Sequence, residues 1–381
     1  MLIVLTSPDA LLCQGSLAQD LVDVLKQAKA AGNPTALVSN HKQPDWFDAV
    51  FAGSGVQFMH EYGRQGGDVV SRNAQKFALQ PFDVVVLATK DVDVQMGKNG
   101  GALLVAADWS TDKQVAALGI RVASAADFEE VIDLTAGWPG NWWFSADGPR
   151  YAVRALSDLS TKKYGLTGAQ QVFALGLTST VKNGGAKLNA LLAVTARSLL
   201  MEGFGEKKNL VWGVYPSSKR ENGDDEVLSD FNHRLRTTVS RVRFAMRGQP
   251  LFVRHAASSK RSAGGGGDRT DPSEQVRTVH LNPYYAKGSR LVGKHVVIID
   301  DCTTYGVSFG VAAAFLRAAG AAAVTGVALG KFGSQLRYYE IDIASNPFEP
   351  VPAGAFKVIV SAGMIGTTNQ ASQSSLQGLI N

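Results

Sequence analysis

The chain has 381 residues, 45% of them hydrophobic and 19% charged, with a mean hydropathy of −0.01. This is a globular composition with material for two or three domains, and no apolar run approaches the roughly 18 residues that a membrane span needs. The two cysteines, Cys13 and Cys302, lack metal-ligand spacing and are too few for a disulfide framework, which fits a reducing cytoplasm; a net charge of +5 admits an anionic partner, phosphate or nucleic acid, without requiring one.

Residues 2–5 are apolar and followed by Pro8, and read as a first strand rather than a signal peptide. Residues 16–32 carry apolar positions at helical spacing and stop at a glycine. Residues 35–39 form a second strand. A helix is predicted over 68–79, a strand over 83–89, a helix over 91–101, a strand over 102–107 and a closing helix over 127–134. Alternation of this kind predicts a parallel sheet with helices on both faces. Residues 135–149, rich in glycine, proline and tryptophan, read as a linker whose tryptophans pack between domains. Beyond it a second α/β unit is predicted. It holds a helical stretch over 168–202, strands at 210–215 and 250–254 with a helix over 226–247 between them, and a polar loop over 255–288. A strand at 295–300, a helix over 308–319 and strands at 323–330 and 356–361 complete it. Positive charge gathers at 232–247 and 254–269, read as a solvated helix face and a loop.

One stretch stands out: HVVIIDDCTTYGVSFG, residues 295–310. A buried strand runs into two adjacent aspartates, costly neighbours in an apolar setting unless something binds them. Thr303, Thr304, Tyr305, Gly306, Val307 and Ser308 then turn into a helix start. Successive amides at a helix N-terminus, with a glycine for close approach, form an anion cradle. A phosphate beside two carboxylates able to accept from vicinal hydroxyls describes a ribose 5-phosphate. The stretch resembles the PRPP-binding motif of type I phosphoribosyltransferases: apolar residues, two acids, small or hydroxyl residues, glycine, then Ser or Thr.

The resemblance implies a C-terminal type I phosphoribosyltransferase fold over 150–381. Asp300 and Asp301 would hold the ribose hydroxyls, and residues 303–308 the 5-phosphate. Tyr305 stands where Thr or Ser is more usual. A pyrophosphate loop would follow the strand at 210–215 through Ser217, Ser218, Lys219 and Arg220, a ribbon similar to the ComF-like branch. Lys260 and Arg261, in the long polar loop, would close over the leaving pyrophosphate. Mg²⁺ would arrive mainly on PRPP, with Asp300 and Asp301 nearby, and a small-molecule acceptor would take the phosphoribosyl group.

Residues 1–134 resemble the haloacid dehalogenase (HAD) phosphatases, a Rossmannoid parallel sheet. Ser39 falls in the phosphate-binding position, and Thr89, Asp91 and Asp93 at the Mg²⁺-binding acids. The nucleophile and acid/base positions are Thr6 and Pro8, and the usual lysine appears as Arg64 or Gln65. Without an Asp nucleophile no aspartyl-phosphate forms, so this domain is expected to be a pseudo-enzyme that serves as a scaffold. Asp9 is a shifted alternative. Fusions similar to this occur in bacterial stress-resistance and defence clusters. A non-catalytic PRPP- or nucleotide-sensing regulator therefore stands as the alternative to a transferase, with a protein or nucleic-acid partner reached through the HAD-like domain or the basic segments. No membrane association is expected, and an oligomer is compatible with the chain.

Overall fold

The computed structural model describes residues 1–13, 15–161, 167–185, 187–218, 227–241, 248–259 and 268–380. The chain divides into two compact units. Unit 1 comprises Met1–Gly140, Asn189–Lys208 and His233–Met246, and unit 2 comprises Asn141–Leu188, Asn209–Asn232 and Arg247–Asn381.

Unit 1 is built on a parallel sheet of six strands. In chain order they are β1 (Ile3–Thr6), β4 (Thr35–Ser39), β5 (Gln57–His60), β6 (Val84–Ala88), β7 (Leu103–Ala107) and β8 (Ile120–Val122). A short hairpin, β2 (Leu12–Cys13) with β3 (Ser16–Leu17), follows β1. The spatial order β5-β4-β1-β6-β7-β8 makes β1 central, with later strands added on either side. This is the doubly wound order, and its ligand crevice lies beyond the carboxyl ends of the strands where the order reverses, here β1 and β6. All of β1, β4, β6 and β7 is buried, which is why these strands read as unbroken apolar runs.

The contiguous division expected from the sequence, 1–134, a linker over 135–149 and 150–381, does not describe the packing. Two later segments fold back into unit 1. Arg197 donates to Asp83 Oδ1 at 2.7 Å and to the Phe82 carbonyl at 2.9 Å. Lys98 is buried, and its ammonium donates to the carbonyls of Thr237, Thr238 and Ser240 at the end of helix Val227–Val239. A Cβ on Gly119 would collide with the Arg234 carbonyl, so the close approach requires glycine there. Two tryptophans of 135–149 lie in the cores of their own units. Trp138 is buried and donates Nε1–H to Ser198 at 2.9 Å in unit 1, and Trp143 lies in the core of unit 2.

Unit 2 carries a mixed sheet. Its strands are β9 (Phe144–Asp147), β10 (Ala152–Asp158), β11 (Leu210–Val214), β14 (His295–Thr303), β15 (Ala323–Lys331) and β18 (Thr367–Thr368), in the order β11-β14-β15-β10-β9-β18. The first four in that order are mutually parallel, so their carboxyl ends share one edge. β9 and β18 extend the sheet antiparallel. Antiparallel pairs β12 (Phe252–Arg254) with β13 (Val279–Leu281) and β16 (Leu336–Ile343) with β17 (Phe356–Met364) complete the strands. The helical stretch expected over 168–202 consists of two helices, Gly168–Asn183 and Lys187–Met201, with Gly184 and Gly185 between them, both at positive φ.

Both units are α/β with parallel strands, as the alternation predicts. The polar loop over 255–288 is more structured than expected. Its described part contains helix Ser273–Thr278 and β13.

Candidate functional site

In unit 2, β14 runs three residues further than its apolar run suggests. Asp300 pairs with Ala328, Cys302 with Gly330 and Thr303 with Lys331 across to β15. The two aspartates are thus held in a sheet, where their backbones cannot move independently. Asp300 is buried and Asp301 is half-buried. Asp300 Oδ2 accepts from the Ser308 hydroxyl at 2.6 Å, and Oδ1 accepts from the Asp301 amide at 2.9 Å. Asp301 Oδ1 accepts from the Cys302 amide at 2.6 Å. Burial and the adjacent Asp301 carboxylate push the Asp300 carboxyl well above the ordinary carboxylate range. The Cys302 thiol is pushed up as well, by burial and then by Asp301 and Asp300, which disfavours the thiolate.

After Thr303 the chain turns at Gly306 (φ 78°), which begins helix Val307–Ala318. A Cβ there would lie 2.6 Å from Leu336 Cδ1 in a backbone conformation that already favours glycine. The Gly306 amide donates to Thr303 Oγ1 at 3.2 Å. Among the described residues, no acceptor is found for the amides of Thr304, Tyr305, Val307 and Ser308. These four amides lie in the stretch expected to form an anion cradle. Two residues of the expected phosphate loop turn their side chains inward. The Thr303 side chain is buried and its hydroxyl receives the Gly306 amide, while the Ser308 hydroxyl is used on Asp300. Both residues build the loop.

The expected pyrophosphate loop follows β11. The Tyr215 amide donates to Ile299 O at 2.9 Å, which ties the loop base to β14. Ser217 and Ser218 lie beyond it, and the Ser218 carbonyl accepts from the Ser258 amide at 3.0 Å. Lys219, Arg220, Lys260 and Arg261 lie outside the described residues. Two buried residues on this side, Arg254 and Gln275, were not among those expected. Arg254 donates to Thr278 Oγ1 at 2.7 Å and to Gln275 Oε1 at 2.8 Å, and reaches the Pro216 carbonyl at 3.4 Å. Gln275 Oε1 also accepts from the Tyr215 hydroxyl at 2.8 Å. Arg254 ends a short apolar strand, and that placement was the available signal. It is not a solvent cation, and neither is Arg234, which donates to Gly119 O at 2.9 Å and Asn189 Oδ1 at 2.8 Å. The basic segments therefore spend part of their charge inside the fold.

In unit 1 the residues that the resemblance singles out lie at or just beyond the carboxyl ends of β1, β4, β5 and β6. Thr6 is buried and donates to Leu87 O at 3.1 Å. Pro8 opens a short 3-10 turn, and Asp9 in that turn pairs with Lys90 at 2.7 Å. Asp93 is wholly buried. Its Oδ2 accepts from the amides of Thr89 and Lys90, both at 3.0 Å, and from the Ser7 hydroxyl at 3.2 Å. Arg64 Nη1 lies 2.6 Å from Asp93 Oδ1 and donates to Val38 O at 2.8 Å. Of Arg64 and Gln65, it is Arg64 that pairs with Asp93. Asp91 accepts from Gln95 along the same helix, and Ser39 Oγ receives the His41 amide at 3.0 Å. Asp93 is thus engaged by two amides, a hydroxyl and a guanidinium.

No family model matches the chain, and no curated protein matches it. Among solved structures it is similar to a protein described as a phosphoglycolate phosphatase from Lactobacillus delbrueckii subsp. bulgaricus. That match has 19% identity and a TM-score of 0.27, and covers 31% of this chain and 54% of that one. It is also similar to the cobalt-bound deoxy-D-mannose-octulosonate 8-phosphate phosphatase of Haemophilus influenzae. There the identity is 13% and the TM-score 0.28, over 37% of this chain and 91% of that one. Overlap this partial transfers neither activity nor residues. Among the described residues, no helix is long and apolar enough to cross a membrane, and no group of three or more His, Cys, Asp or Glu could hold a metal ion.

Proposed function

We propose that unit 2 binds PRPP and transfers its phosphoribosyl group to a small-molecule acceptor, in the manner of the type I phosphoribosyltransferases its motif resembles. One observation carries the reading: β14 delivers Asp300 and Asp301 directly beside a glycine-started helix whose first amides have no acceptor among the described residues. The carboxylates accept from the ribose hydroxyls. The amides of Thr304, Tyr305, Val307 and Ser308 hold the 5-phosphate. The loop beyond Tyr215 lies on the same sheet edge, where pyrophosphate would depart. The acceptor attacks ribose C1 as the C1–O bond to pyrophosphate breaks; pyrophosphate leaves with the electron pair and the acceptor gives up a proton. The protein's contribution is placement and water exclusion rather than covalent chemistry.

Mg²⁺ would arrive on the substrate's phosphates rather than at a resident site, with Asp300 and Asp301 the carboxylates at hand, and would supply positive charge against the departing pyrophosphate.

Unit 1 we infer to be an inactive relative of the HAD phosphatases, on the strength of Thr6, Pro8 and the Arg64–Asp93 pair. A vanadate-sensitive phosphatase activity from residues of unit 1 would refute that.

Calorimetry with PRPP and Mg²⁺ tests the main reading. Wild type should bind, and the double variant Asp300→Asn, Asp301→Asn should not; equal affinity would sink the ribose assignment. Pyrophosphate release across a panel of acceptors then separates the two roles. Binding without release in every case would favour the sensing regulator over the transferase.

A further inference from the structure

Lys331, the last residue of β15, is wholly buried. An ammonium is costly there unless each of its three donors finds an acceptor. Nζ donates to the carbonyls of Thr304 at 2.7 Å, Gly333 at 2.7 Å and Gln335 at 2.6 Å. The Phe144 ring centroid lies 4.9 Å away. Thr304 belongs to the loop after β14, whereas Gly333 and Gln335 belong to the loop after β15. One cation therefore fastens the two loops together. Two backbone bonds run in parallel with it: the Phe332 amide donates to Thr303 O at 2.9 Å, and the Arg337 amide to Tyr305 O at 3.0 Å.

The consequence follows from peptide geometry. In a planar trans peptide the carbonyl of one residue and the amide of the next point in opposite directions. Turning the Thr303 carbonyl toward Phe332 turns the Thr304 amide away from β15. Turning the Thr304 carbonyl toward Lys331 does the same to the Tyr305 amide. Both amides belong to the open donors of the cradle. The first is aimed by a backbone bond that any residue at 332 except proline supplies. The second is aimed by the Lys331 side chain.

We propose that Lys331 is a positioning residue for the anion cradle: by holding the Thr304 carbonyl it points the Tyr305 amide at the 5-phosphate of the ribose ligand. The proposal rests on the ribose-phosphate reading of the site. Lys331 does not touch the ligand. It acts through the peptide plane, and its influence is confined to the phosphate end. The pyrophosphate loop after β11 is separately anchored, through Arg254 and Ser258.

That confinement supplies the test. Ribose 5-phosphate and inorganic pyrophosphate, each with Mg²⁺, are titrated calorimetrically into wild type and Lys331→Met, which keeps length and removes the donors. One lost hydrogen bond to a charged group predicts a loss in ribose 5-phosphate affinity of roughly tenfold or more. Pyrophosphate affinity should be unchanged. Equal ribose 5-phosphate affinity in a folded variant overturns the proposal, and so does an equal loss for both ligands, which would mark a general structural role. Failure of wild type to bind ribose 5-phosphate would instead overturn the reading beneath it. If the variant does not fold, the ¹⁵Nζ resonance of Lys331 in wild type decides. It should shift on titration with ribose 5-phosphate and not with pyrophosphate, and no shift with ribose 5-phosphate counts against the positioning role.

Discussion

Asp300 is a carboxyl placed where water is largely excluded and a second carboxyl adjoins it. Its proton is therefore held to higher pH in the folded chain than in the unfolded one. An unfolded aspartate titrates near about pH 4, so above that pH the native state binds more protons than the unfolded state. Stability then falls as pH rises through the window between the unfolded and the raised native value. Asp300→Asn removes the titration and leaves an oxygen to accept from Ser308. Urea midpoints measured from pH 4 to 8 should show the variant gaining on wild type as pH rises; parallel curves would mean that Asp300 ionises as freely as in water. The same substitution should weaken ribose binding, so stability and affinity should move in opposite directions at neutral pH. Arg64 presents the converse case. Its guanidinium is the cation paired with wholly buried Asp93, and removing one partner of a buried pair typically costs about 3–5 kcal/mol. Arg64→Met should lose stability on that scale by denaturant titration. A loss nearer the roughly 0–1 kcal/mol of an exposed pair would mean that Asp93 is neutralised in another way.

Lys98 links an element to the end of another. Helix Val227–Val239 ends with carbonyls that have no intrahelical donor, and the buried ammonium of Lys98 supplies donors to Thr237, Thr238 and Ser240. Lys98→Met strands those carbonyls, at a cost of about 1–3 kcal/mol for each one left buried and unpaired. Burial lowers the Lys98 pKa from 10.5 to about 7. Between those values the unfolded state binds more protons than the native state, so wild-type stability should rise with pH across that window. The Met variant should lack this slope, and identical slopes in thermal melts would show that the ammonium stays charged throughout. The helix itself was legible, as were β1, β4, β6 and β7, because apolar runs bounded by turn residues announce themselves. β5 and β8 were not. Gln57–His60 has exposed residues at both ends, and Ile120–Val122 is only three residues long with Arg121 exposed. Ala152–Asp158 escaped notice because Arg154 and Ser157 interrupt it, yet it lies inside the sheet of unit 2. At the site, the paired aspartates and Gly306 could be read because each is costly without a reason. Lys331 and Arg254 could not, since their partners are backbone carbonyls and side chains remote in sequence, which no local pattern records.

At the scale of the whole chain, sequence order and packing part company in unit 1. A reading by composition ends the first domain at residue 134, where the sheet alternation stops. The unit closes only when Asn189–Lys208 and His233–Met246 return to it. What they bring is specific. Arg197 pairs with Asp83, each about one-tenth exposed. Ser198 accepts the Trp138 indole N–H, and the end of helix Val227–Val239 receives Lys98. A fragment of residues 1–140 would keep all six strands and lose every one of these partners. It would hold a carboxylate and an ammonium prepared for burial without their counterparts, and it would expose the apolar surface that the returning helices cover. Such a fragment should show strand and helix signal by circular dichroism but no cooperative thermal transition, with exposed apolar surface detectable by dye binding. Supplying the returning segments should matter more than any single substitution, because several buried groups regain partners together. A cooperative transition from residues 1–140 alone, at the temperature of the full chain, would show that the returning segments are accessory and that the sequence-order boundary was the physical one.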